Sequence, residues 1–192
     1  YFGTDEFDNS IAVQEFARAL TYYLPSDLTK ITTVGERLVD DAFANCTNLS
    51  QIIFDTALST VGNYAFANCT SLSSVNFNQL QSLGNYSFYN CSALNAIAFE
   101  KVGVFGENAF EGCNALTKTT VADIDSWILA SFATPTSNPI YYTHGLYTNE
   151  GILKELTPLE SVSEIPAYAF YNCNSYFCCN DNIGCVCWSC FS

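Results

Sequence analysis

"NYAFANCTSL" at residues 63–72 recurs at residues 85–94 as "NYSFYNCSAL", with six of the ten positions identical. Two further copies flank this pair, "DDAFANCTNL" at 40–49 and "ENAFEGCNAL" at 107–116, and a shorter "AYAFYNC" follows at 167–173. The phenylalanines shared by the four long copies are Phe43, Phe66, Phe88 and Phe110, which are 23, 22 and 22 residues apart. A fixed period of this length is typical of repeat proteins, in which each unit contacts only its neighbours.

The apolar positions of one unit fit no single helix or strand period, so the chain must turn within each unit. These positions are Leu58, Val61, Ala65, Phe66, Cys69, Leu72, Val75 and Phe77. Residues 72–77 predict a short strand with Val75 and Phe77 on one side, and residues 63–66 predict one helical turn after a bend at Gly62. One such unit cannot bury eight apolar groups by itself. Stacked units can, with parallel strands about 4.8 Å apart, so we expect Phe66 and Phe88 to share one interior.

A period of 22–23 residues with the spacing Leu-x-x-Ile/Val-x-Phe lies in the leucine-rich-repeat range. The longer copies "VGNYAFANCTSLSSV" (61–75) and "LGNYSFYNCSALNAI" (83–97) resemble the BspA-like repeat family of surface proteins. The resemblance covers 38–121 and 153–173. It implies an α/β fold, a right-handed leucine-rich-repeat solenoid with short parallel strands and one helical turn per repeat. It also implies a binding or adhesion role on a cell surface or in secreted form, without catalytic residues or a cofactor.

Two segments depart from the repeat. Residues 1–37 predict a helix and a first irregular repeat, in which either Ile31 or Leu38 holds the position of Val61. Residues 122–152 predict an inserted amphipathic helix, capped by Asp123 or Asp125, and a hairpin turn at 149–151. We expect the solenoid to continue through this insertion.

The repeat is expected to resume over 153–173. Leu153, Leu156 and Pro158 would take the strand positions of this last unit, and Val162, Ile165 and Phe170 would take the remaining apolar positions. Residues 174–192 form an irregular tail that contains the last five cysteines.

Composition excludes several classes of function. The chain has 49% apolar and 15% aromatic residues, which favours a folded globular chain, and no apolar run approaches the roughly 18 residues that cross a bilayer. Nineteen acids against six bases give a net charge of -13. Nucleic-acid phosphates would be repelled, and we expect neither a nucleic-acid partner nor membrane insertion of this segment.

The predicted binding face consists of the strand residues that alternate with the buried ones. They are Gln51, Ile53, Ser74, Asn76, Ala96, Ala98, Lys118, Thr120, Glu155 and Thr157. This strip is nearly uncharged and would project to about 340 Å², below the roughly 800 Å² per partner of a standard interface. The insertion is therefore expected to contribute contacts through Trp127, Tyr141, Tyr142, His144 and Tyr147. The partner predicted from these features is a protein or glycan on another cell or in a matrix.

The remaining chemistry-bearing residues favour structural roles. Cys46, Cys69, Cys91, Cys113 and Cys173 recur at one repeat position, which predicts buried thiols that pack as small hydrophobes. The tail cysteines, Cys178, Cys179, Cys185, Cys187 and Cys190, are irregularly spaced, so an unstructured or disulfide-bonded tail is favoured over a zinc site. The Asn-Cys-Thr/Ser triplets at Asn45, Asn68 and Asn90 match the glycosylation pattern, but a structural role of the amides between units is preferred.

Three hypotheses for function follow from the sequence. The preferred one is a noncatalytic binding or adhesion module. The first alternative is a spacer array without a ligand, which the small uncharged strip would also fit. The second is an enzyme with a pocket built by the insertion around His144 and Asp125, which requires a nucleophile or acid–base pair that no motif supplies.

Overall fold

A computed structural model describes residues 29–33, 37–54, 58–156, 165–174 and 178–179. The strands are β1 (Lys30–Thr33), β2 (Arg37–Leu38), β3 (Gln51–Phe54), β4 (Thr60–Val61), β5 (Ser74–Gln79), β6 (Ser82–Leu83), β7 (Ala96–Lys101), β8 (Val104–Phe105), β9 (Lys118–Val121), β10 (Ser131–Phe132), β11 (Leu146–Thr148), β12 (Gly151–Ile152), β13 (Glu155–Leu156) and β14 (Cys178–Cys179). The helices are α1 (Ile124–Ile128), a 3-10 helix (Pro135–Ser137) and α2 (Ile140–Thr143). The expected N-terminal helix lies outside the described residues, as do Pro158, Val162 and most of the Cys-rich tail.

Most coils contribute one short strand and one longer strand to two five-stranded sheets, whereas β3, the longer strand of its coil, lies with β1 in a separate two-stranded sheet. The short strands form a parallel sheet in the order β10-β8-β6-β4-β2, and the longer ones a sheet in the order β12-β11-β9-β7-β5. β1 pairs with β3, and β3 contacts β5. Successive coils therefore lie in register on top of one another, as in the leucine-rich-repeat solenoid that the repeat predicts.

The turn between the two strands adds a third set of hydrogen bonds between coils. The amides of Tyr64, Phe66 and Asn68 donate to the carbonyls of Asn85, Ser87 and Tyr89 in the next coil, at 2.7–2.9 Å. Tyr64 and Asn68 have positive φ angles of 53° and 60°. The predicted helical turn over 63–66 is thus replaced by hydrogen-bonded turns through the left-handed region, which leave alternate amides free to bond the neighbouring coil.

The interior is one apolar cluster that runs through all the described coils. Stacked phenylalanine rings form its axis, with centroid separations of 5.5 Å for Phe43–Phe66, 5.0 Å for Phe66–Phe88 and 5.6 Å for Phe88–Phe110. The expectation that Phe66 and Phe88 share one interior is confirmed. Leu38 pairs with Val61 in the short-strand sheet, so Leu38 rather than Ile31 holds that position.

The inserted segment continues both sheets, because β10 pairs with β8 and β11 pairs with β9. Asp123 caps α1 by accepting a hydrogen bond from the Ser126 amide at 3.1 Å. The chain then turns at Asn149–Glu150, and β12 pairs antiparallel with β11. The long-strand sheet ends at this hairpin.

Residues after the hairpin continue the stack in part. β13 pairs in parallel with β14, and not with the long-strand sheet. The turn at 165–174 packs on the inserted coil, since Asn172 Nδ2 donates to the Tyr141 carbonyl at 2.9 Å and Ala169 is buried. Ile165 and Phe170 are partly buried against the core.

Candidate binding surface: the open strand face

The outer side of the long-strand sheet presents alternate residues in straight rows. Val75 and Phe77 of β5 point into the core, whereas Ser74 and Asn76 are exposed. The registers place Ser74, Ala96 and Lys118 in one row, and Asn76, Ala98, Thr120 and Tyr147 in the next. We call this surface the open strand face and define it as Gln51, Ile53, Ser74, Asn76, Ala96, Ala98, Lys118, Thr120 and Tyr147.

The middle of the open strand face is lower than its two sides. Ala96 and Ala98, the two shortest side chains of the face, lie between the Ser74 and Asn76 pair and the Lys118 and Thr120 pair. The Lys118 ammonium is 5.5 Å from the centroid of the Tyr147 ring, a cation–π arrangement that fixes both groups at the edge of the depression. The face therefore offers a shallow recess with a cation and an aromatic ring on one side.

Aliphatic side chains lie at the two ends of the face. Ile53 in β3 is 37% exposed, and Ile152, directly opposite Tyr147 in the hairpin, is 40% exposed. The side chains at the centre of the face are small or polar. Apart from Tyr147, the large apolar side chains exposed along the face are therefore Ile53 and Ile152 at its ends. A partner that covered the whole face would bury apolar groups at its ends and polar groups at its centre.

Glu155 does not extend this face, although the sequence predicts that it does. Glu155 lies in β13, which pairs with Cys178–Cys179 and not with β11, because the antiparallel β12 already occupies that edge. Thr157 lies outside the described residues. The prediction that Glu155 continues the strip is therefore wrong.

The prediction of a surface contact is also wrong for Trp127. Its side chain has 0% exposure, and its indole N–H donates to the Ala169 carbonyl at 3.0 Å. The ring packs beside Phe99, Phe105 and Phe132. Trp127 thus fills the interior of the inserted coil.

The other predicted residues of the insertion lie nearer the surface. Tyr141 is partly buried and stacks on Tyr171 at 6.1 Å, while Tyr142 turns inward and its hydroxyl oxygen accepts a hydrogen bond from the Gly112 amide at 3.3 Å. Burial raises the pKa of Tyr142 to about 12, so this phenol stays protonated at neutral pH. Tyr147 belongs to the open strand face, and the remaining residue, His144, lies at a turn on another side of the coil.

His144 lies at a turn between α2 and β11. Its φ of 53° lies in the left-handed region, as do those of Asn45, Asn68, Asn90 and Asn172. Its Nδ1 lies 3.1 Å from the Asn172 carbonyl oxygen. The proposed catalytic partner, Asp125, lies in α1, and Asp123 caps that helix. The described residues contain no group of three or more metal-binding side chains.

The repeat thiols are buried at one position of the stack. Cys69, Cys91 and Cys113 each donate a hydrogen bond of 3.1 Å to the carbonyl of a phenylalanine in the preceding coil. Burial raises the pKa of Cys46 to about 12, and it also raises the pKa of Cys69 and of Cys91. The thiols of Cys46, Cys69 and Cys91 are therefore protonated at neutral pH, which removes the thiolate that nucleophilic chemistry needs.

The asparagines of the Asn-Cys-Thr/Ser triplets bond one another along the stack. Asn68 Nδ2 donates to Asn45 Oδ1 at 2.9 Å, and Asn90 Nδ2 donates to Asn68 Oδ1 at 3.0 Å. The amides therefore link coils, which is the structural role that the sequence favours.

Sequence reasoning missed a group of tyrosines on the turns. Tyr64 and Tyr89 are 42% and 37% exposed, and Tyr86 lies between them. We call Tyr64, Tyr86 and Tyr89 the tyrosine turn face. The signal was present, because the repeat position that holds Asp41 and Asn108 in two coils holds Tyr in two others. A position that varies among polar and aromatic residues within a strict repeat indicates the surface.

Comparison with known families identifies the repeat type. The model of the BspA type leucine rich repeat region matches residues 21–134 and 143–192 with six copies. Comparisons with curated proteins and with solved structures give no match for this chain. Within the described residues, no helix has the length and apolar character needed to cross a membrane.

Proposed function

Because this chain belongs to the family of BspA-type leucine-rich-repeat regions, we propose that it is a noncatalytic binding or adhesion module of a surface or secreted protein. Its open strand face contacts a protein or glycan of another cell or of a matrix. The observation that carries this proposal is the recess over Ala96 and Ala98, bounded by the Lys118–Tyr147 pair.

The chemistry of the recess supports a ligand with polar groups and one flat or anionic feature. Ser74, Asn76 and Thr120 supply hydroxyl and amide groups that donate and accept hydrogen bonds, and Lys118 supplies a positive charge. The Tyr147 ring supplies an aromatic contact of the type enriched at binding hot spots. Sugars and extended peptides both meet this description.

The noncatalytic part of the proposal rests on the roles of the reactive groups. The five repeat thiols are buried, Asp123 caps a helix, and His144 holds a turn. A solenoid of this kind presents a surface without a deep cleft, which suits binding better than the water-excluding pocket that most reactions need.

A binding screen with two matched variants tests the proposal. The full chain is screened against immobilised matrix proteins and a glycan array, beside Ala98→Arg and Ala133→Arg. Ala98 is in the recess, whereas Ala133 is exposed just after β10 on the other sheet, so the same substitution is made on two surfaces. We expect Ala98→Arg to weaken binding at least about tenfold, or about 1.4 kcal/mol, and Ala133→Arg to leave it unchanged.

Two results would contradict the proposal. A chain that binds nothing in the screen would favour the ligand-free spacer array. Binding that survives Ala98→Arg would move the site away from the open strand face. Labelling of intact, unpermeabilised source cells with an antibody to this chain checks the surface location independently.

A further inference from the structure

The tyrosine turn face carries an aromatic stack that stops at an acidic residue. At one turn position, successive coils hold Asp41, Tyr64, Tyr86 and Asn108, all in the left-handed conformation with φ between 51° and 57°. The rings of Tyr64 and Tyr86 are stacked with centroids 5.1 Å apart and planes within 4° of parallel. The stack thus consists of two rings, Tyr64 and Tyr86, and Asp41 occupies the position at which a third ring, or third rung, would lie.

The Tyr86 end of this stack is held in place by two neighbouring side chains. The Tyr89 ring crosses the Tyr86 ring at 74° with centroids 5.8 Å apart, and Asn108 Nδ2 donates to the Tyr86 hydroxyl at 2.9 Å. The stack of Tyr64 on Tyr86 is therefore anchored at its Tyr86 end. Tyr64 is 42% exposed although Tyr86 covers one face of its ring, and the coil on the side of its other face carries Asp41 rather than a further ring at this position.

The backbone places a residue with a carboxylate on that side of the ring. The Asp41 amide donates to the Asn63 carbonyl at 2.8 Å, which fixes the coil of Asp41 directly against that of Tyr64. The side chain of Asp41 is exposed. Because an aspartate is several bonds shorter than a tyrosine at the same repeat position, it can cover only the part of the Tyr64 ring that is nearest the backbone. Ala44, three residues after Asp41, adds only a methyl group nearby.

A planar cation could contact the Tyr64 ring and the Asp41 carboxylate at the same time. An arginine guanidinium stacks on the faces of aromatic rings and pairs with carboxylates through two parallel N–H donors. Placed as the next rung, it would lie on the face of Tyr64 opposite Tyr86 with its N–H groups directed to the Asp41 carboxylate. The net charge of -13 on this chain further favours a cationic partner over an anionic one.

We propose that Asp41 and Tyr64 form a second binding site, separate from the open strand face, which takes an arginine side chain from a basic segment of a partner protein. The guanidinium completes the tyrosine stack as its third rung. Lysine is the weaker ligand here, because an ammonium is a point charge that cannot stack as a plane or pair in a bidentate manner.

Titration with three short labelled peptides tests this site. The probes are three fluorescein-labelled nine-residue peptides with Gly-Ser spacers, one with three arginines, one with three lysines and one with three tryptophans. We expect the arginine peptide to bind at least about fivefold more tightly than the lysine peptide, since only arginine adds stacking. Ring proton shifts of Tyr64 in NMR spectra should move during the titration.

Three variants and two controls locate the contact. Asp41→Tyr extends the stack and occupies the site, and the turn should accept it because Tyr64 and Tyr86 have nearly the same φ. Asp41→Asn removes the charge, and Tyr64→Leu removes the ring. Each should weaken arginine-peptide binding by about tenfold. Tyr171→Leu, in the other tyrosine cluster, and Glu150→Gln, in the hairpin turn, should leave it unchanged.

Specific outcomes would overturn the proposal. Equal affinity for the arginine and lysine peptides, or an equal loss with Glu150→Gln, would show attraction by net charge alone. Tighter binding of the tryptophan peptide would make the site an aromatic one. Arginine-peptide binding that survives both Asp41→Tyr and Asp41→Asn in folded protein would place the contact elsewhere. Ala98→Arg should not change peptide binding, so failure here and failure of the open strand face are distinguishable.

Discussion

The regular coils and the inserted coil build the same two sheets from different sequences. In residues 58–121 the equivalent strands of successive coils start 22 residues apart, and Phe, Cys and Leu recur at fixed positions. The inserted coil keeps the strand positions at β10 and β11 but replaces the interior with Trp127 and the turn with α2. The stack therefore requires hydrogen-bonding strands and a filled interior at each level, and it tolerates other residues and other lengths between the strands.

The strongest test of this equivalence is to empty the interior in each kind of coil. Phe66→Ala removes a fully buried ring that stacks on both sides, and Trp127→Ala removes a fully buried ring and its hydrogen bond to Ala169. We expect each to lower the free energy of unfolding by about 3–5 kcal/mol, as for other buried aromatic truncations. Urea denaturation followed by circular dichroism measures both.

Tyr89→Ala, which removes an exposed ring, serves as the control. It should lower the free energy of unfolding by well under half as much. A Trp127→Ala loss below about 1 kcal/mol would mean that the inserted coil is not part of the cooperative core.

The second test concerns the bend after each short strand, where the two kinds of coil differ in one methyl group. A Cβ on Gly84 would lie 2.5 Å from the backbone of Gly62 and Asn63, closer than real contacts allow. The inserted coil has Ala133 at this position, with its amide bonded to Phe105 as Gly106 is bonded to Leu83. We expect Gly84→Ala to cost about 1–3 kcal/mol by overpacking and the reverse change, Ala133→Gly, to cost less than about 1 kcal/mol.

Thermal denaturation of the two variants side by side measures this difference. Equal costs would show that the inserted coil approaches its neighbour as closely as the regular coils do.

A third test uses an irregularity inside a regular coil. Ser87 is fully buried, and its hydroxyl has no hydrogen-bond partner among the described residues. The equivalent residues Ala42, Ala65 and Ala109 are all buried alanines. Ser87→Ala should therefore raise the free energy of unfolding by about 1 kcal/mol, because a buried unpaired hydroxyl is destabilising. Ser92→Ala, an exposed serine of the same coil, is the matched control. A loss of stability in Ser87→Ala would mean that a water or another group satisfies the hydroxyl.

The sequence predicted the stack because its strongest signal, the spacing of Phe43, Phe66, Phe88 and Phe110, reports the interior directly. It did not predict the path of the turns. The left-handed conformation at Tyr64 carries no glycine signal, and the amides of Tyr64 and Phe66 that flank it donate to carbonyls of another coil. Local patterns therefore indicated a helical turn where contacts between coils decide the backbone.

The candidate sites were predicted less completely, for a physical reason that Trp127 illustrates. An aromatic residue in an irregular segment has no periodic partner that reveals which side it faces, so the sequence predicts a surface contact for Trp127 although its ring fills the core. Conversely, Tyr64 lies at a turn position whose residue type varies among the repeats, so no periodic signal marks it as part of a site. The strand residues from Ser74 to Thr120 were placed correctly on the outer side because alternation within a strand leaves only two choices.

The smallest expected effect concerns His144, which ends α2 in the left-handed conformation that Asn68 and Asn90 adopt in the regular coils. Both residue types tolerate the left-handed region, so His144→Asn should change the free energy of unfolding by less than about 0.5 kcal/mol. The ring contact with the Asn172 carbonyl is exposed and is replaced by a side-chain amide of similar hydrogen-bonding capacity. His144→Val is the informative contrast, since a β-branched residue is strained at a φ of 53° and should cost more than Asn. If Asn destabilises the protein as much as Val does, then His144 contributes a specific interaction at this turn beyond its tolerance of the left-handed backbone.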